Sequence, residues 1–116
     1  MRLQDKEDIL LVARIAEQSE QYNDMIDILK PYFESKSKSE EVSLEERNLL
    51  SVAYKNAVGL RRIAWRAAKK AHKTQKFQPF QQEMETYLLS LEEECVNLCK
   101  DFLKLIEKHL MPAAQH

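Results

Sequence analysis

"SLEERNLLSVAYKNAVGLRRIAWRAAKKAHK", residues 43–73, begins with its own start signal. Ser43 stands three residues before Glu46, the spacing of a capping box, in which each side chain satisfies the other residue's backbone N–H. A helix is therefore expected from Ser43 to about Lys73. Its apolar positions, Ala53, Ala57, Leu60, Ala64, Ala67, Ala68 and Ala71, fall on one side and are mostly small, so another helix can approach closely. Tyr54 and Trp65 flank that side and read as core or shoulder packing.

The rest of the chain is helical by the same logic. Residues 3–18 carry Ile9, Val12, Ala13 and Ala16 at helical spacing, and residues 20–33 carry Tyr22, Met25, Ile26 and Leu29. Pro31 lacks an N–H and should end or kink the second helix near Lys30. "ESKSKSEEVS" and "HKTQKFQP" read as loops, the first of them mobile. The fourth helix is expected from about Phe80 to Leu110, stopped by Pro112. Along it Met84, Leu88, Leu91, Cys95, Leu98, Phe102 and Leu105 alternate spacings of four and three, the seam of near-antiparallel packing. The long third and fourth helices should each reach about 45 Å. One Gly and three Pro in 116 residues leave little turn chemistry for a β fold. The fold class is all-α: an antiparallel array of four helices in a single domain over residues 1–116.

Composition narrows the function. The chain is charged at 32 % of positions yet nearly neutral, with a net charge of −1. That neutrality conceals a division. Lys55, Arg61, Arg62, Arg66, Lys69, Lys70, Lys73 and Lys76 give residues 54–76 a charge of +8 with no acid among them, leaving −9 elsewhere. At 100° per residue, Lys55, Arg62, Arg66, Lys69 and Lys73 share an arc of about 60° along some 27 Å of helix, and Gly59 lies on the same face. A solvated helix face ordinarily mixes signs through i, i+4 pairs, whereas here like charges repel at i+4 and i+7. Such a stripe points to an anionic ligand. A phosphorylated Ser or Thr carries nearly two negative charges and three acceptor oxygens, and Lys55 and Arg62 could converge on it. Nucleic acid is disfavoured, because the stripe has no aromatics for base stacking and the acidic remainder repels a polyanion.

Other chemistry finds little support. Cys95 and Cys99 offer half a metal site at most and read as buried core thiols, so no metal and no cofactor is expected. No nucleophile–base spacing or Gly-rich phosphate loop suggests an enzyme. No stretch approaches the roughly 20 apolar residues needed to span a membrane. With "MRLQDKEDIL" charged throughout, no secretory signal is expected, and free thiols suggest the cytoplasm or nucleus.

These residues resemble a known family. "ERNLLSVAYKNAVGLRRIAWR", residues 46–66, is similar to the third helix of the 14-3-3 family, and "RNLLSVAYKNA" within it matches that family's first signature. "AEQSEQYNDM", residues 16–25, resembles the junction of its first two helices, and "IEKHLMP", residues 106–112, the end of its fourth. The resemblance implies a cup-shaped dimer of all-α chains, normally nine helices each. It implies a non-catalytic adaptor that binds phosphoserine or phosphothreonine segments of client proteins. By motif match, Lys55 and Arg62 correspond to two basic groups of the phosphate pocket, with Arg66 one turn along the groove wall.

The resemblance also implies that the second signature, and the Arg–Tyr pair completing the pocket, lie on a helix beyond His116. These residues would then be the N-terminal part of a longer chain, supplying half the pocket. The alternative reading is a truncated helical dimerisation module without a complete ligand groove. The family's interface packs helix one against helices three and four of the partner. Matching positions here are Ile15, Ser19, Gln21, Asp24, Ala64, Ala68, Tyr87, Ser90 and Glu94, for a homodimer or a heterodimer with a related chain. Gln21 replaces a typical basic residue and Ser90 a typical lysine, leaving Glu94 and Asp24 without their usual partners. Ala64 replaces a phosphorylatable Ser of several relatives, which closes that route of dimer control.

Overall fold

The computed structural model describes residues 5–37 and 40–109, with the backbone alone at 75–77. Its elements are α1 (Lys6–Gln18), α2 (Tyr22–Ser35), α3 (Leu44–His72), a 3-10 turn (Gln75–Phe80) and α4 (Gln81–His109). All described elements are helical, as the periodicity required. Consecutive helices run antiparallel, within overall dimensions of 55 × 33 × 20 Å.

The core forms where α1, α2 and the first half of α3 meet. Ala13, Met25, Leu29, Phe33, Ala53 and Ala57 have no exposed surface. Tyr54 lies beside them, its ring stacked on Phe102 of α4 at 5.0 Å between centroids. Leu105 completes the cluster from α4, with Leu98 and Phe102 packed against it. The expected seam is present, but unevenly covered: Leu88, Leu91 and Leu105 are buried, while Met84, Cys95, Leu98 and Phe102 are half-buried. Length explains this. The 13 residues of α1 rise about 20 Å, against about 43 Å for the 29 of α3, so among the described residues no third helix lies over the far half of the α3–α4 hairpin. Leu60 and Ile63 there are 51 % and 61 % exposed, so the small-sided face of α3 is fully buried at Ala53 and Ala57 and only half-buried at Ala64, Ala68 and Ala71.

Two expectations are corrected. Of the two outcomes expected at Pro31, an end or a kink, the end does not occur: helix α2 continues through Pro31 to Ser35. Pro31 and Asp27, whose carbonyl the missing N–H would have served, both face solvent, while Leu29 and Phe33 on the other side are fully buried. The carbonyl is therefore open to solvent, and the core holds the helix. The thiols are not core groups either: Cys95 is half-buried and Cys99 exposed, because Cys99 lies off the seam carried by Leu98 and Phe102. The second loop folds as a 3-10 turn, and Pro112, the expected stop of α4, lies outside the described residues.

The capping box is formed as expected, and it anchors more than one helix end. Ser43 Oγ accepts from the Glu46 N–H, and Glu46 Oε1 accepts from the Ser43 N–H, each at 3.1 Å. The Glu46 carboxylate is 1 % exposed and also receives Lys6 of α1 and Lys36 beyond α2, both at 3.4 Å. Three helices therefore meet on one carboxylate. The α1–α2 corner is closed by a Schellman arrangement: the Gln21 N–H donates to Ala16 O at 2.8 Å and the Glu20 N–H to Glu17 O at 3.0 Å. Glu20 occupies the left-handed position there, with φ of 57°.

Candidate functional site

The five stripe cations, Lys55, Arg62, Arg66, Lys69 and Lys73, are all exposed along one side of α3. Their positions separate into two groups. Lys69 lies in the last turn and Lys73 caps the helix, where the macrodipole favours positive charge whatever the function. Lys69 also rests over the Trp65 ring, 5.7 Å from its centroid. Lys55, Arg62 and Arg66 stand too far from the helix end for that benefit. Among the described residues none of the three has an ion-pair partner, although seven such pairs form elsewhere. Folding leaves these three cations unneutralised and reachable.

The neighbouring arginine behaves oppositely. Arg61 was one of the eight cations in the basic run, yet it turns inward and joins three helices. It donates to Asn23 Oδ1 of α2 at 2.9 Å and to Ala57 O of its own helix at 3.0 Å. Its Nε lies 3.7 Å from Glu94 Oε1 of α4. This role was missed by reading charge alone. The signal was angular: Arg61 falls 100° from Arg62 and toward the apolar side.

Further bonds lock the α3–α4 hairpin behind the stripe. Trp65 Nε1 donates to Glu92 Oε1 at 2.9 Å, and His72 Nε2 lies 3.4 Å from Glu85 Oε1. Half-buried Trp65 is thus a shoulder residue, as expected, and buried Tyr54 a core one. Burial pushes the Tyr54 hydroxyl far above the ordinary tyrosine range, with Asp101 and other carboxylates adding to the effect, so it stays protonated. At Gly59 an added Cβ would meet no atom within 4 Å. Among the described residues nothing in the packing demands a glycine there.

The residues expected at a dimer interface fall into two clusters. Ile15, Ser19, Gln21 and Asp24 line an open groove of about 440 Å³ along α1 and α2, floored by Val12, Ala16 and Ile28. Ala64 and Ala68, half-buried, and Tyr87, Ser90 and Glu94, exposed, lie on the overhanging part of the α3–α4 hairpin. Glu94 has gained a partner within its own chain, Arg61, whereas Asp24 has no ion pair among the described residues. Among those residues no group of three or more His, Cys, Asp or Glu side chains gathers to hold a metal, and no helix is long and apolar enough to cross a membrane.

A family model described as 14-3-3 protein matches residues 12–116. The chain is 43 % identical over 113 residues to 14-3-3 protein zeta of Bombyx mori, covering 97 % of this chain and 44 % of that relative. Against 14-3-3 protein beta/alpha of Homo sapiens the identity is 42 % over 111 residues, covering 95 % and 44 %. Against 14-3-3 protein epsilon of Drosophila melanogaster it is 37 % over 113 residues, covering 95 % and 42 %. The chain spans less than half the length of these curated relatives. Four antiparallel helices, a cationic third helix and these matches agree: the chain belongs to the 14-3-3 family.

Proposed function

We propose that this chain is an adaptor, not an enzyme, that docks phosphorylated Ser or Thr segments of client proteins on α3. Lys55 and Arg62 take the phosphoryl group, and Arg66 extends the basic wall along the bound segment. The observation that carries this reading is the exposure of three cations with no ion-paired carboxylate among the described residues. A phosphoryl dianion supplies the charge they lack, and the planar fork of Arg62 suits its oxygens. A fluorescent phosphoserine peptide titrated against the chain, beside its unphosphorylated twin, tests it. The phosphorylated peptide should bind at least about tenfold tighter, and equal affinities would remove the reading.

The α1–α2 groove favours a second role, as a dimerisation surface for another copy or a related chain. Its exposed Ile15 and its apolar floor face outward, and the overhanging hairpin offers exposed Tyr87, Leu60 and Ile63. Sedimentation at tens of micromolar should find a dimer, and a monomer there would count against it. Together these roles place the chain among phosphorylation-dependent regulators in the cytoplasm or nucleus, with phosphorylated proteins as its partners.

A further inference from the structure

His109, in the last turn of α4, has both ring nitrogens shielded from solvent and without a hydrogen-bond partner among the described residues. The ring packs edge-on against Phe33 of α2, 5.9 Å between centroids, and Phe33 has no exposed surface. A carbocyclic ring would make that contact without leaving two polar atoms unsatisfied. Packing alone therefore does not explain a titratable ring in this seat.

The charges around it are held by other duties. At the end of α2, Lys36 is 10 % exposed and lies 3.4 Å from Glu46 of α3 and 3.8 Å from Glu40 of the α2–α3 connection. On α4, Lys108 donates to the Glu34 carbonyl of α2 at 2.7 Å. Burial resists a charge on His109 most, and Lys108 and Lys36 add to it; the Phe33 backbone and Glu40 favour one without prevailing. The other ties between α4 and the core nearby, Leu105 and the Lys30–Asp101 pair, lie one and two turns back. We infer that the end of α4 is a proton-released clasp on α2, closed while His109 is neutral and freed from Phe33 when the ring is protonated. A third cation beside Lys36 and Lys108 is poorly solvated in the closed clasp, and opening gives it water.

An opened histidine takes its proton near 6.5 and the closed one only at lower pH, so the clasp holds above 6.5 and loosens as pH falls. Each pH unit below 6.5, down to the closed value, multiplies opening by up to about tenfold. Glu46, held at about 2, keeps its charge over this range, so α1, α2 and α3 stay joined while the end of α4 lets go. The clasp is independent of the phosphate reading of α3.

Amide hydrogen exchange at about pH 7.5 and about pH 5.5, corrected for the intrinsic pH dependence of exchange, tests it. Protection of residues 106–109 should fall by up to about tenfold, with little dependence on dilute urea, because a local opening exposes little surface. Amides of Leu50, Ala53 and Tyr54 should stay better protected and respond steeply to urea, as global unfolding requires. His109→Phe keeps an aromatic ring against Phe33 and takes no proton, so protection of the same residues should be equal at the two pH values. The clasp is overturned by equal protection at both pH values in the unaltered chain, or by a fall that survives in His109→Phe. A urea dependence at residues 106–109 as steep as that of Tyr54 would also overturn it, by making the opening global.

Discussion

The Tyr32 hydroxyl donates to Glu46 Oε2 across 2.7 Å, linking the end of α2 to a carboxylate that is 1 % exposed at the start of α3. Burial on its own would push the Glu46 carboxyl up. The bond from Tyr32, those with Ser43 and the nearby Lys36 ammonium outweigh it, holding the group down at about 2. Because the folded value lies below the ordinary 4.5, the folded state binds the proton less readily than the unfolded chain. The resulting stabilisation is complete above about 4.5 and is lost as pH falls toward 2, on the order of 3 kcal/mol in all.

Replacing Tyr32 with Phe should therefore do two things at once. It removes a charge-assisted bond, which costs about 1.5–3 kcal/mol, and it lets the Glu46 value rise, moving the acid transition to higher pH. Urea unfolding at neutral pH and an acid titration followed by circular dichroism measure the two effects separately. Burial also pushes His109 below its ordinary 6.5, so its protonation opposes folding on the acid side of that value. Stability should begin to decline near 6.5 and fall further below 4.5. A flat profile between 7 and 3 would contradict both assignments.

The α1–α2 corner carries a local conflict. Glu20 adopts φ of 57°, a conformation that strains an L side chain and that glycine accepts freely. Its side chain is exposed, so Glu20→Gly removes strain without opening the core. The expected gain is about 1 kcal/mol, visible as a higher urea midpoint with an unchanged slope.

Gly59 presents the reverse case. It sits inside α3, where glycine is about 1 kcal/mol worse than alanine, and a Cβ there would touch nothing. Gly59→Ala should stabilise the chain by up to that amount. If a ligand backbone lies close against this face, the same substitution should weaken phosphopeptide binding, so stability and affinity move in opposite directions. Thermal melting and the peptide titration on one variant decide between a packing reason and a binding one.

Much of the architecture was legible because helices announce themselves by period. The seam from Met84 to Leu105 and the capping box at Ser43 each involve one helix and its neighbours in sequence. What the sequence hid was relational. Pro31 reads as a stop until Leu29 and Phe33 are known to be fully buried on the far side. Cys99 reads as core by residue type alone, although the seam through Leu98 and Phe102, legible in the sequence, already passes it by. Glu46 reads as a capping residue only, although its position three and four residues before Leu49 and Leu50 already placed it on the core face. The stripe was legible as charge, but which of its members fold and which remain free depends on the helices opposite.

That distinction is sharpest between two adjacent arginines. Arg61 holds Asn23 of α2 and lies against Glu94 of α4, while Arg62 is exposed and unpaired among the described residues. Arg61→Gln should destabilise the fold by about 1–3 kcal/mol, because it leaves Asn23 without its donor and Glu94 without its ion-pair partner. Phosphopeptide affinity, measured where the variant is folded, should change little. Arg62→Gln should leave stability within about 0.5 kcal/mol and cut phosphopeptide affinity about tenfold or more. Both variants lower the net charge equally, so a response to bulk charge would make their affinities fall together. Only a specific site on the outer face of α3 produces the crossed pattern, with one arginine serving the fold and its neighbour the ligand.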